Sequence, residues 1–145
     1  MYQLIKETHS VIAYLVLIAL TFAVVNAARG YFKNDKFQKR DRIIFLLAFI
    51  LSHIQLLLGI ANYLLSDKTK NISNIKNSLK ISDWRFFTVE HPFMMLIAIT
   101  LITISFSKMK RMTVDRNKFK TIFVFYGIAL VFILIRIPWR IWLLT

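Results

Sequence analysis

Four stretches of the chain carry no charged residue, 8–28, 43–66, 91–107 and 121–135, and polar, mostly basic segments separate them. A helix needs about 20 apolar residues at roughly 1.5 Å rise each to cross the hydrocarbon of a bilayer. The first two stretches are long enough alone. The third reaches spanning length when extended back through 86–90, and the fourth when started near Phe119. The pattern therefore predicts four transmembrane helices at about 3–28, 42–65, 83–107 and 119–137 in one domain over residues 1–145. The fold class expected is an all-α integral membrane four-helix bundle, up-down-up-down. No internal repeat or second domain is visible.

Local signals punctuate this layout. Gly30 stands where a glycine would close the first helix, Asp41 can cap the second, and Ser82 or Asp83 can start the third. The one long connection contains a polar segment, 71–81, with Ile72, Ile75 and Leu79 at three-and-four spacing, which predicts a short helix on the membrane surface. The first stretch has the small residues of a processing site near Ala27. Its basic cluster follows the apolar run instead of preceding it, so it is read as a retained helix and not a signal peptide.

Composition agrees with a membrane protein: 57% of residues are hydrophobic and the mean hydropathy is +0.58. The formal charge of +13 would suit a nucleic-acid binder if it were spread over one soluble face, but its distribution is that of a membrane topology. Six basic residues lie between the first two spans (Arg29, Lys33, Lys36, Lys39, Arg40, Arg42) and six between the last two (Lys108, Lys110, Arg111, Arg116, Lys118, Lys120). The positive-inside rule places both loops in the cytoplasm, with both termini outside, and lipid headgroups as the partner of the charge. No nucleic-acid partner is expected. The location expected is a bacterial inner (cytoplasmic) membrane, multi-pass.

The candidate chemistry lies in three histidines, His9, His53 and His91, one in each of the first three spans. An imidazole is costly in lipid and so faces the bundle interior, and it is a ligand of haem iron. Helical rise puts His9 roughly 10 Å and His91 about 12 Å from the outer face, while His53 lies about 18 Å in. A flat ring held from two sides needs ligands at one level, which pairs His9 with His91. Ala13 leaves space below His9, and Met95 supplies an adaptable wall beside His91. A carboxylate (Glu7, Glu90) or a backbone carbonyl would fix the second imidazole nitrogen. Arg136, with Arg140 and Arg85, could pair the haem propionates, or could snorkel at the interface.

His53 points roughly 140° from a small and polar stripe on its own helix, Ser52, Gln55, Gly59 and Asn62, a face suited to close helix approach. Three roles stay open for it: a wall or metal ligand of a haem pocket, a protein interface, or a buried histidine bonded to a hydroxyl such as that of Tyr14 or Tyr126. Cysteine is absent, which excludes disulfides, thiolate metal sites and covalent haem attachment. The Glu-x-x-His spacing of di-metal bundles is missing, and no nucleophile–base–carboxylate arrangement is visible.

Residues 8–15 (THSVIAYL), 52–59 (SHIQLLLG), 89–95 (VEHPFMM) and 136–139 (RIPW) resemble the small bacterial four-helix membrane proteins generally named cytochrome B. The likeness runs over nearly the whole chain. The first three segments are more distantly similar to one half of the heme A synthase bundle, where histidines opening alternate helices ligate haem. That resemblance implies His9 and His91 as ligands of a non-covalent haem b. The chain departs from it in having His53, in lacking a second half, and in lacking that family's glutamate four residues before its histidine.

Two functions follow as expectations. One is a b-type cytochrome transferring electrons to or from a quinone or a membrane partner, with no independent catalytic activity. The other is a non-enzymatic subunit or assembly factor, in a larger complex or a homo-oligomer, whose histidines are structural. Haem handling or delivery is a variant of the first.

Overall fold

The computed structural model describes residues 1–70 and 75–142, and among these every regular element is helical. In chain order they are α1 (Tyr2–Lys33), α2 (Lys39–Leu65), three short helices α3 (Asp67–Lys70), α4 (Ile75–Ser78) and α5 (Ser82–Arg85), a π-helical segment (Phe86–Glu90), α6 (His91–Arg111), α7 (Asp115–Ile135) and α8 (Trp139–Trp142). α5, the π segment and α6 run on as one helix, Ser82–Arg111. With α1, α2 and α7 it makes four helices long and apolar enough to cross a membrane. The chain is a multi-pass membrane protein.

Each long helix turns one stripe at three-and-four spacing inward. On α1 it is Val16, Leu20, Ala23, Ala27 and Gly30; on α2 Asp41, Phe45, Ala48 and Ser52; on α6 Ala98, Ile102, Ser105 and Met109; on α7 Phe119, Ile122, Tyr126, Ala129 and Ile133. α1 packs against α2 and α7, and α6 against the same two, which closes a ring. An alanine stands mid-stripe on every helix, letting backbones approach where packing replaces the hydrophobic effect as the source of adhesion. Tyr126 is fully buried and donates its hydroxyl to the Phe45 carbonyl at 3.0 Å, so the phenol is not left unpaired in the dry centre. The outward faces keep large apolar residues, among them Ile18, Phe22, Leu47, Leu57 and Val131, exposed as lipid contact requires.

The connections correct one expectation and bear out another. Gly30 does not close α1, which continues to Lys33 and ends on Asn34 in the left-handed conformation (φ 53°), its N–H returned to the Gly30 carbonyl. Gly30 instead lies under Phe119: a methyl group there would meet the ring at 2.5 Å. Asp41 does cap α2, as the fourth residue of a capping box with Gln38, accepting from the Gln38 N–H at 2.8 Å. Its other oxygen accepts from Asn26 at 2.9 Å, tying α2 to α1. The Phe37 N–H donates to Asp115 at the start of α7 at 3.1 Å. Of the surface helix expected over 71–81, residues 71–74 lie outside those described, and α4 with exposed Leu79 covers part of the remainder.

Candidate functional site

The inward stripes change character toward one end of the bundle. Continuing its stripe outward, α1 reaches Ala13 and His9, α2 reaches Gln55, Gly59 and Asn62, the third span reaches Met95 and His91, and α7 reaches Arg136. Polar and ionisable side chains from four helices therefore meet beyond the apolar centre. His9 rests on α2, where Gln55 donates its amide to the His9 carbonyl at 2.9 Å and holds the same nitrogen 3.5 Å from His9 Nε2. Gly59 is the floor under the ring: a Cβ on it would stand 3.3 Å from His9 Cε1. His9 and His91 lie close enough for a charge on one imidazole to act on the other.

Backbone chemistry places His91. Pro92 has no N–H, so it cannot make the helical bond to Thr88, and the helix widens just before it: the His91 N–H reaches back to the Phe86 carbonyl across a π turn. The released Thr88 carbonyl accepts from the Tyr63 hydroxyl at 3.2 Å. At the other partner, α7 stops at Ile135 ahead of Pro138, leaving end carbonyls without helical donors. Two side chains take them: Trp139 Nε1 donates to Leu134 O at 2.8 Å, and His91 Nδ1 donates to Arg136 O at 2.7 Å. That bond fixes the tautomer of His91, leaving its Nε2 with a free lone pair.

Around the two histidines stand polar atoms that are buried and have no partner among the described residues: His9 Nδ1, Gln55 Oε1, Asn62 Oδ1, Thr88 Oγ1 and Arg136 Nε, with Ser52 Oγ one turn deeper. Buried polar atoms are nearly always satisfied, and each orphan costs about 1–3 kcal/mol. Flipping the Gln55 amide does not help, because it would set an oxygen against the His9 carbonyl. These unpaired atoms lie on the spans that carry His9 and His91 and on the helices packed against them.

The remaining expected site residues are distributed as follows. Glu90 bridges two arginines, accepting from Arg85 Nε at 2.8 Å and from Arg136 at 3.0 Å. Both guanidinium groups thus carry a protein carboxylate, and only Arg136 Nε points unpaired into the cluster. Arg140 is exposed on α8. Ala13 and Met95 are half-buried beside the histidines, Met95 packing on the apolar core.

His53 stands apart from the pair. Its Nδ1 donates to the Phe49 carbonyl at 2.7 Å and its Nε2 lies 3.0 Å from the hydroxyl of Thr103, which donates to the Ile99 carbonyl at 2.8 Å, so both ring nitrogens face partners within the protein. The hydroxyl partner is neither of those foreseen: Tyr126 bonds Phe45, and Tyr14 stacks on Trp142 at 3.9 Å. Among the described residues no three histidine or carboxylate side chains converge as a metal cage. A centre held by two imidazoles is a different arrangement.

Comparison with protein-family models, curated proteins and solved structures gives no match for this chain. Sequence reasoning missed the Arg136 carbonyl as the partner of His91 and the π turn that sets the helix phase before it. Pro92 and Pro138 were the signals for both.

Proposed function

We propose that the chain is a b-type haem protein of the membrane, in which His9 and His91 would hold the iron. One observation carries this reading: two imidazoles from different spans stand at one end of the bundle interior, one with an unpaired ring nitrogen and the other oriented by a backbone carbonyl that leaves the lone pair on its Nε2. The donor set fits the group. Gly59 lets the His9 ring lie close against α2, and Arg136 Nε is an unpaired donor of the kind a propionate takes. Haem, when bound, supplies an iron that gains and loses one electron.

The residues set the conditions for that electron. The carbonyl bond at His91 raises the basicity of its free nitrogen, and Gln55 holds the α1 backbone at the level of His9. Glu90 offsets one of the two charges of Arg85 and Arg136, so the positive charge facing the site is moderated by the protein itself. The likeness of segments 8–15 and 89–95 to cytochrome B proteins and to half of a heme A synthase bundle supports the same ligand pair. In this reading the bundle is up-down-up-down in a bacterial inner membrane, basic loops inside and both termini outside, and its redox partner is a quinone or another membrane protein.

The competing reading, a non-enzymatic subunit with structural histidines, has one observation in its favour: His53 and His91 both serve as donors to backbone carbonyls. Absorption spectra of detergent-purified protein separate the two. One haem per chain with a low-spin spectrum is expected, lost equally in His9→Ala and His91→Ala and only weakened in Arg136→Ala. Iron-free protein after expression with ample haem would turn the assignment to the subunit reading.

A further inference from the structure

The opposite end of the bundle carries a second polar site that the haem reading does not use. A cavity of about 210 Å³ opens between the end of α1, the 34–38 connection and the start of α2, with Phe119 as its inner wall. Arg29, Lys36 and Arg40 line it, as do the two carboxylates Asp35 and Asp41. The acids are already engaged. Asp41 is buried and accepts from Asn26 and from the Gln38 N–H, and Asp35 pairs with Arg29 at 3.6 Å.

The cations at this end divide by partner. Lys108, Lys110, Arg116 and Lys118 each sit over an aromatic ring, at 4.6 to 5.6 Å from its centroid, and Lys118 also pairs with Asp115. Lys36 and Arg40 have neither ring nor carboxylate among the described residues, and both face the same cavity. Two free cations converging on one concave polar space make an anion site. Diffuse surface charge would not need the cavity.

Size and position narrow the ligand. A water takes about 30 Å³ of liquid, so the cavity has room for a phosphate group and the first carbons of its ester. It lies where one apolar span ends and the next begins, the level at which lipid phosphates lie. We propose that Lys36 and Arg40 form a binding site for a phosphate ester, the headgroup of an anionic phospholipid being the source the position favours. The site is independent of haem.

The test uses the full chain purified in a neutral detergent, titrated with short-chain phosphatidylglycerol, with phosphatidylcholine of equal chain length, and with glycerol 3-phosphate. The double variant Lys36→Gln/Arg40→Gln is compared with Lys39→Gln/Arg42→Gln, which removes the same charge from exposed positions outside the cavity. Expected is preferential binding of phosphatidylglycerol, weakened about tenfold in the cavity variant and less than about twofold in the control, as for loss of charge-assisted contacts. Displacement by glycerol 3-phosphate at comparable concentration supports the phosphate site and assigns it to a soluble ester. Equal weakening in both double variants, or equal binding of phosphatidylcholine, overturns the proposal. Both variants are exposed surface changes, and an unaltered helical circular-dichroism spectrum shows the fold is kept.

Discussion

The three glycines of the chain sit in helices but in three different surroundings, so replacing each by alanine gives a signed test of the packing. In a helix interior alanine is favoured over glycine by roughly 0.5–1 kcal/mol, because glycine loses more backbone freedom on folding. At Gly127 nothing lies within 4 Å of the added methyl group, so the propensity gain is expected undiminished. At Gly59 the methyl meets His9 Cε1 at 3.3 Å, a tight contact that a small ring shift relieves, and the net change in stability is expected near zero. At Gly30 three atoms of the Phe119 ring lie at 2.5 to 2.6 Å.

Phe119 cannot retreat freely. Its ring is buried and braced by Phe37 at 5.3 Å and Phe45 at 6.4 Å between centroids. Overpacking of this kind costs about 1–3 kcal/mol, which exceeds the propensity gain and leaves Gly30→Ala destabilised by about 1–2 kcal/mol. That is a change of roughly 5- to 30-fold in the folded-to-unfolded ratio. Reversible unfolding of the detergent-solubilised protein by a denaturing surfactant, followed by circular dichroism, measures the difference. The expected order of stability is Gly127→Ala above wild type, Gly59→Ala close to it, and Gly30→Ala below. If Gly30→Ala proved as stable as Gly127→Ala, α1 and α7 would not approach at Gly30 as described, and the ring of helices would need another register.

Two further outcomes follow from the same geometry. His53→Ala should leave any haem spectrum intact while destabilising the bundle by about 1–2 kcal/mol, because the ring's contacts with Phe49 O and Thr103 are lost while Thr103 keeps its bond to the Ile99 carbonyl; loss of the spectrum in this variant alone would move the haem toward the bundle centre. For topology, a cysteine placed at Asn34 should resist an impermeant thiol reagent added to intact cells and react after the membrane is opened, whereas labelling in intact cells would invert the arrangement.

How far the sequence foretold this architecture depends on the range of the interaction. Four spans were legible because charge-free runs report directly on lipid, and the stripe Ser52, Gln55, Gly59, Asn62 correctly marked the face of α2 that meets α1. That His9 and His91 lie toward the same end of the bundle needed only the helical rise. Helix ends were less legible: α1 outlasts Gly30 by three residues because the packing of Phe119, distant in sequence, decides what that glycine is for. The Glu90 bridge between Arg85 and Arg136 needed knowledge of which helices adjoin, and single-chain periodicity does not contain it. The π turn shifts the phase of everything before Pro92, so face assignments extrapolated from α6 back into 82–90 fail by about one residue, or roughly 100°.

The placement of polarity along the bundle bears on what the proposed cytochrome can do alone. At one end lie His9, His91 and the unpaired polar atoms; at the other lie Asp41, Asn26 and the phosphate cavity. Between them Leu20, Ala23, Ala48, Ala98, Ile102, Ile122 and Ala129 are buried in one continuous apolar core. The small residues there draw the backbones together, and the imidazole nearest that depth, His53, has both ring nitrogens facing partners within the protein. A bilayer core is about 30 Å thick, and a single centre near one face does not carry an electron across it. Transmembrane electron flow would therefore require a second centre in another chain.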